Sequence, residues 1–409
     1  MKSLFEVPSY LNNEFFENAL EDGLREPTVN IKDLKFTLGS ECGENYCSRI
    51  FRVFISYVVG NSDHMENKSL IVKSIPIYEY NKFLEELAMF EKEKVFYYDI
   101  LPKMEILLNN SKIAARCYHC VKKPVQTIVF EDLNEGQYIL ASRQKGLDFN
   151  HSKLLLEKLG QFHGVSMVML KKEPEITRHF KSGMLSVDLL TDPQSYLKKE
   201  GHLLTTLAGI VSKWEGYEKI SQKIMRYSKN LLKNLINANK PRPGEIRVLN
   251  HGDLWVNNFM FQYENGTPKD VAFVDFQCSF FGSPGCDINF FLNSSVQLDT
   301  LMYRRNELVE SYYVSLRDTL QNLRYENVPT FQDIQDELLY REPYGFYSAY
   351  SFLPTIAMDK KDSADNTIEN MRNDEFAKKK MEIIYTSTER TLKTLRHTLK
   401  RFDDLGVLD

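Results

Sequence analysis

The stretch His251-Gly252-Asp253-Leu254-Trp255-Val256-Asn257-Asn258 offers a carboxylate and, five residues on, an amide. A strand-like run, Ile246 to Leu249, leads into it. A second short strand, Val271 to Val274, ends at Asp275. Phosphoryl transfer from ATP needs an acceptor for a hydroxyl proton and hard oxygen ligands for magnesium. Asp253 suits the first role, and Asn258 and Asp275 suit the second. Asp275 follows Asn258 by 17 residues, which carry Phe259-Met260-Phe261, a Glu264-Asn265-Gly266 turn and the apolar strand. That spacing predicts a β-hairpin between the two ligating positions. His251 reads as a brace of the loop, because the aspartate is better placed to act as base.

Other elements must bring a cation and a nucleotide to these groups. Ser69 to Pro76 reads as a buried strand interrupted by Lys73. A buried ammonium needs an anionic partner, a carboxylate or a phosphate, unless it reaches water at the strand end. Tyr78 to Leu101 has helical spacing, with Pro102 predicted to end it, and offers Glu85, Glu86, Glu91 and Glu93 as partners. Strands are expected at Leu34 to Leu38, Tyr46 to Val59, Lys112 to Cys120 and Val125 to Phe130. Between the first two lies a turn-rich loop, Gly39 to Asn45, whose N–H groups could lie over phosphates. It carries two glycines, Gly39 and Gly43, and serves equally well as an ordinary hairpin turn. Phe130 to Gly136 breaks the strand pattern. Beyond it the chain turns helical: Ser152 to Leu170 has a broad apolar face in which His163 reads as a core histidine. Two or three helices are expected over 193–239, and more over 286–296, 299–324, 330–340 and 374–401, with a charged loop from Asp359 to Asp374.

The 409 residues are enough for two lobes, and 43% apolar with 26% charged residues makes the chain globular. A net charge of −4 argues against a broad nucleic-acid surface. No apolar stretch approaches the ~20 residues of a membrane span, and no signal peptide is visible. Six cysteines in a chain of this length do not make a disulfide framework. Cys117-Tyr118-His119-Cys120 has CxxC spacing without a second pair, so free thiols are expected there rather than zinc. A cytoplasmic protein with no obligate protein partner is the expectation.

His251-x-Asp253-Leu254-x-x-x-Asn258 matches the protein-kinase pattern H-R-D-L-x-x-x-N with glycine for arginine, and Asp275-Phe276-Gln277 stands where D-F-G would. His-Gly-Asp-Leu-Trp-x-Asn-Asn with Asp-Phe-Gln resembles the aminoglycoside phosphotransferase and choline kinase superfamily. Within it, the match is closest to the ecdysteroid kinase-like family. Leu70 to Pro76, Phe90-Glu91-Lys92-Glu93, Glu131-Asp132-Leu133, Leu159 to Gly164 and Ser283-Pro284 with Asp287 agree.

The resemblance implies an α+β, two-lobed, protein-kinase-like fold. A β-rich nucleotide-binding lobe would span 1–130, a hinge 131–136, and a mostly helical catalytic and acceptor-binding lobe 137–409. ATP and Mg2+ would sit between the lobes. The resemblance picks Glu93 as partner of Lys73, puts Glu131, Asp132 and Leu133 beside adenine, and makes Asp287 a structural brace of the catalytic loop. Gly39 and Gly43 become nucleotide contacts. The implied reaction moves the γ-phosphate to a hydroxyl of a small alcohol, an ecdysteroid or similar steroid or xenobiotic. A kinase of choline or aminoglycoside-like metabolites and a catalytically silent ligand-binding member are the alternatives. The aromatic run Tyr344 to Phe352 would either line an acceptor pocket or pack helices.

Overall fold

The structure, a computed structural model, describes residues 6–26, 28–39, 48–75, 88–185, 190, 197–363 and 374–409. The N-terminal region is built on a five-stranded antiparallel sheet, in the order β1 (Val29–Leu38), β2 (Arg49–Val59), β3 (Glu66–Ile75), β5 (Gln126–Glu131), β4 (Cys117–Val121). Alternation along the strands sets the two faces. Phe51, Val53, Ile55 and Tyr57 of β2, with Leu70 and Val72 of β3, are buried in a cluster with Phe16, Ala19 and Leu20. Those three belong to the helix Asn13–Leu24, which Asn12 caps by accepting the Phe15 N–H at 3.0 Å. The intervening residues face the other way. Arg52 opposes Ile71 and Ile50 opposes Lys73 across the β2–β3 pair, so all four point into the cleft below the sheet.

The segment expected as one helix ending at Pro102 behaves otherwise. Residues 76–87 lie outside the described residues. A helix runs Met89–Val95, widens into a π turn at Phe96–Ile100, and continues as Leu101–Leu107. The Leu101 N–H reaches back to the Phe96 carbonyl, and Pro102 falls in the first turn of the new segment, where its missing N–H costs nothing. The same device recurs at Glu342–Tyr347, the π turn Ser348–Phe352 and Leu353–Ala357, with Pro354 in that first turn. Here Tyr344, Phe346, Tyr347 and Tyr350 are all buried. Most of the aromatic run therefore packs helices together.

After β5, Leu133–Gly136 forms a short 3-10 turn capped by Asp132. The C-terminal region is mostly helical around Phe149–Lys172, which lies along Arg305–Asn322. The two axes approach closely at Gly160, where a Cβ would sit 2.6 Å from the Tyr312 carbonyl oxygen. The pattern expected over 299–324 is divided into Leu298–Tyr303 and Arg305–Asn322, and that over 374–401 into Asp374–Thr386 and Glu389–Asp404. Helices Leu197–Val211, Glu218–Lys229 and Leu231–Asn239 fill the span expected there, and Lys360–Ser363 is helical inside the expected loop. The Lys112 to Cys120 strand shortens to β4. Two small sheets complete the region: β6 (Ile139–Leu140) with β8 (Phe259–Glu264) and β9 (Thr267–Phe273), and β7 (Val248–Asn250) with β10 (Phe280–Gly282). They are positional: β7 leads into the loop from His251 to Asn258, and the β8–β9 hairpin returns the chain to Asp275. Cys117, Cys120, Cys278 and Cys286 form no disulfide. No helix among the described residues is long and apolar enough to cross a membrane.

Candidate active site

The His251–Asp253 turn is held from below. The Asp287 carboxylate, at the first turn of the helix Gly285–Ser294, accepts the His251 N–H at 2.6 Å and the Gly252 N–H at 2.9 Å. His163 adds its Nε2 to the same carboxylate at 3.3 Å and meets the Tyr312 hydroxyl through Nδ1 at 2.8 Å. It is a core histidine, and one that steadies the loop's brace. His251 is buried, and its Nε2 meets the Val274 carbonyl oxygen at 2.9 Å. Burial holds both histidines below their ordinary pKa despite the nearby Asp287. As neutral groups they suit packing and hydrogen bonding.

Asp253 emerges from this turn into the cleft. Its Oδ2 accepts the Asn258 amide N–H at 2.9 Å and the Trp255 indole N–H at 3.3 Å. Burial, then the nearby Asp275 carboxylate, push the Asp253 pKa up to about 7, against the pull of those two donors. A carboxylate with that pKa can take up and release a proton near neutrality.

Lys73 reaches the same cleft from β3. Its ammonium is 2.7 Å from Glu93 Oε2 and 2.9 Å from Asp275 Oδ1. Burial alone would favour the neutral amine, but Asp275 and Glu93 outweigh it and hold the ammonium above its ordinary pKa. Burial pushes the Glu93 carboxyl up, and Lys73 draws it back only in part. Gln277 bridges the pair, accepting from Lys73 at 3.4 Å and donating to Asp275 Oδ2 at 3.2 Å. Phe276, between them, stacks on Phe96 with centroids 3.6 Å apart and packs on His251. One aromatic column thus joins the helical segment that carries Glu93, the Asp275 turn and the loop that begins at His251.

A family model, the ecdysteroid kinase-like family, matches residues 42–325. The chain belongs to this family. It is a small-molecule kinase by that membership, with a kinase-like fold of a β-sheet N-terminal and a helical C-terminal region. Solved structures similar to it include a GDP complex of a mutant aminoglycoside 2'-phosphotransferase-IIIa. That structure is 11% identical, covers 95% of this chain and 100% of its own, and has a TM-score of 0.38. A microcompartment-associated aminopropanol kinase is also 11% identical, covers 97% of this chain and 99% of its own, and has a TM-score of 0.36. No curated protein matches the chain significantly.

In this ecdysteroid kinase-like chain the cleft encloses about 410 Å³. Gly39, Lys73, Glu93, Glu131, Asp132, Leu133, Asp253, Asn258 and Asp275 all line it, while His251 and Asp287 lie beneath. Gly43 lies outside the described residues. In the stretch expected as a hinge, the Glu131 carboxylate is occupied by Lys112 and by the Arg116 N–H. Asp132 is occupied by Arg52 Nε at 2.7 Å, Ser69 Oγ at 2.7 Å and the Asn134 N–H. With both side chains engaged, this stretch presents its main chain to the cleft beside the apolar Ile71, Leu133 and Met260.

The donor set fits magnesium. Asn258 turns its amide nitrogen to Asp253, to the main-chain oxygen at 2.8 Å and to Oδ2, so its oxygen is left for a cation. The Asp275 side chain is about a quarter exposed at the cleft. Among the described residues no cluster of three His, Cys, Asp or Glu could hold a metal alone. Magnesium at phosphotransfer sites takes one or two protein oxygens and completes its shell with phosphates and water, so two suffice.

Trp255, Gln277 and Arg52 are contacts that sequence reasoning did not assign to the site. Gln277 was visible as the last residue of Asp-Phe-Gln. Arg52 had only its alternation on β2 as a signal.

Proposed function

We propose that this chain transfers the γ-phosphate of ATP to a hydroxyl of an apolar small molecule, an ecdysteroid or a similar steroid or xenobiotic. The observation that carries it is the convergence of Asp253, Asn258, Asp275 and the Lys73–Glu93 pair on one cleft. The lobes divide at a hinge over 131–136. The purine lies against the hinge main chain, and Lys73, held by Glu93, binds the α- and β-phosphates. Asn258 and Asp275 would hold magnesium, which would offset the charge on the phosphate oxygens. Asp253 takes the proton of the acceptor hydroxyl as that oxygen bonds to the γ-phosphorus. The bond from the γ-phosphorus to the β–γ bridging oxygen breaks, and ADP leaves. The apolar acceptor class rests on family membership.

The test is mass spectrometry with magnesium-ATP over two panels. We expect a gain of one phosphate on steroid alcohols, absent with Asp253→Asn. Phosphorylation confined to choline and aminoglycosides would replace the acceptor assignment. Nucleotide binding without product on either panel would mark a silent member.

A further inference from the structure

We propose that Trp255 is a positioning residue that, together with Asn258, holds Asp253 by Oδ2 and commits Oδ1 to the acceptor proton. This rests on the kinase reading above. Both donors to the carboxylate fall on one oxygen, Asn258 Nδ2 at 2.9 Å and Trp255 Nε1 at 3.3 Å. Among the described residues, no hydrogen bond reaches Oδ1, while Asp253 lines the cleft. Two donors on one side fix the carboxylate's rotation, and the open oxygen is the one with lone pairs available to a hydroxyl. The chain that carries the indole is itself held: the Trp255 main-chain N–H donates to the Asp253 carbonyl oxygen at 3.0 Å, and the Trp255 carbonyl oxygen accepts the Asn258 main-chain N–H at 2.8 Å. Indole chemistry also suits the role, because its N–H only donates, so Trp255 does not compete with Asp253 for the proton. A reacting oxygen displaced by an ångström can lose about a hundredfold in rate.

The probe is release of labelled phosphate from magnesium-ATP to water by the full chain. Trp255→Phe and Trp255→Leu should each lower kcat on the order of tenfold, the worth of one such hydrogen bond. The KM for magnesium-ATP should stay unchanged. In an Asp253→Asn background the same substitutions should change nothing further. An unchanged kcat overturns the proposal, as does an equal fall in the Asp253→Asn background, a matching rise in KM, or loss of ADP binding by both variants. If Asp253→Asn alone keeps wild-type turnover, the base assignment fails first. Where the parent releases none to water, the same kcat comparison is read on the steroid alcohol it phosphorylates, and an unchanged kcat there overturns the proposal.

Discussion

A Cβ on Gly252 would lie 2.1 Å from the Cys278 carbonyl oxygen, so these two backbones meet with no room for a side chain. Gly252 also sits at φ +82°, where an L side chain is strained. The glycine between His251 and Asp253 is therefore a requirement of the loop's path, with Asp287 fixing both N–H groups of the turn. Gly252→Ala is expected to lose about 2–4 kcal/mol in urea unfolding, from backbone strain and overpacking together. A variant as stable as the parent would show that the turn yields freely.

Asp253→Asn should remove the proton acceptor and leave the nucleotide's other contacts in place. Turnover is expected to fall by about 10²–10⁴, the usual worth of a general base, while calorimetry still registers magnesium-ATP binding. Near-parental turnover would take Asp253 out of the role.

As the proposed base, Asp253 must be ionised to accept a proton, so activity should fall as pH drops through its pKa. Asp253 stands at about 7 without metal, first through burial and then because Asp275 repels its ionised form. A cation on Asp275 relieves that repulsion. The acidic limb of kcat/KM is therefore expected near 7, and that of kcat at saturating magnesium-ATP at lower pH. Coincident limbs would show that Asp275 and Asp253 are not electrostatically linked.

Much of this was legible in the chain because the relevant signals are local. Lys73 interrupts an apolar strand, so it needs a partner or a route to water, and the family resemblance picks Glu93 from four glutamates on the following segment. The hairpin from Phe259 to Phe273 follows from turn residues between apolar runs. The hidden parts depend on geometry that no period encodes. Pro102 marks a helix end by local rules, but the π turn before it absorbs the missing donor. The run from Tyr344 to Phe352 has the same composition whether it lines a pocket or fills a core; only tertiary packing decides. The Trp255 contact to Asp253 depends on the path of a turn fixed by Asp287, 34 residues beyond Asp253.

Lys73 and Glu93 are both buried, with side chains 6% and 1% exposed. Lys73→Met leaves Glu93 without its ammonium and should cost about 3–5 kcal/mol. Adding Glu93→Leu should restore much of that stability, because two apolar groups need no partner. Nucleotide-dependent turnover should stay lost in the double variant, since no cation remains for the phosphates. Recovery of turnover alongside stability would remove Lys73 from phosphate binding.

His163 offers a separate reading of pH. Burial lowers its pKa, so the folded chain holds it neutral while the unfolded chain binds a proton below about 6.5. Its contribution is thus present above that value and lost as pH falls, by up to about 1.4 kcal/mol per pH unit. Glu93 and Asp253, both raised, act in the opposite direction over much of the same range, because the folded chain keeps their protons. The total curve therefore mixes signs, and the difference between parent and His163→Asn isolates the histidine. That difference, large at pH 7.5 because the Tyr312 and Asp287 contacts are weakened, should narrow steadily toward pH 5. Parallel unfolding curves across the window would mean that His163 is protonated in the folded chain, with its charge accepted by Asp287.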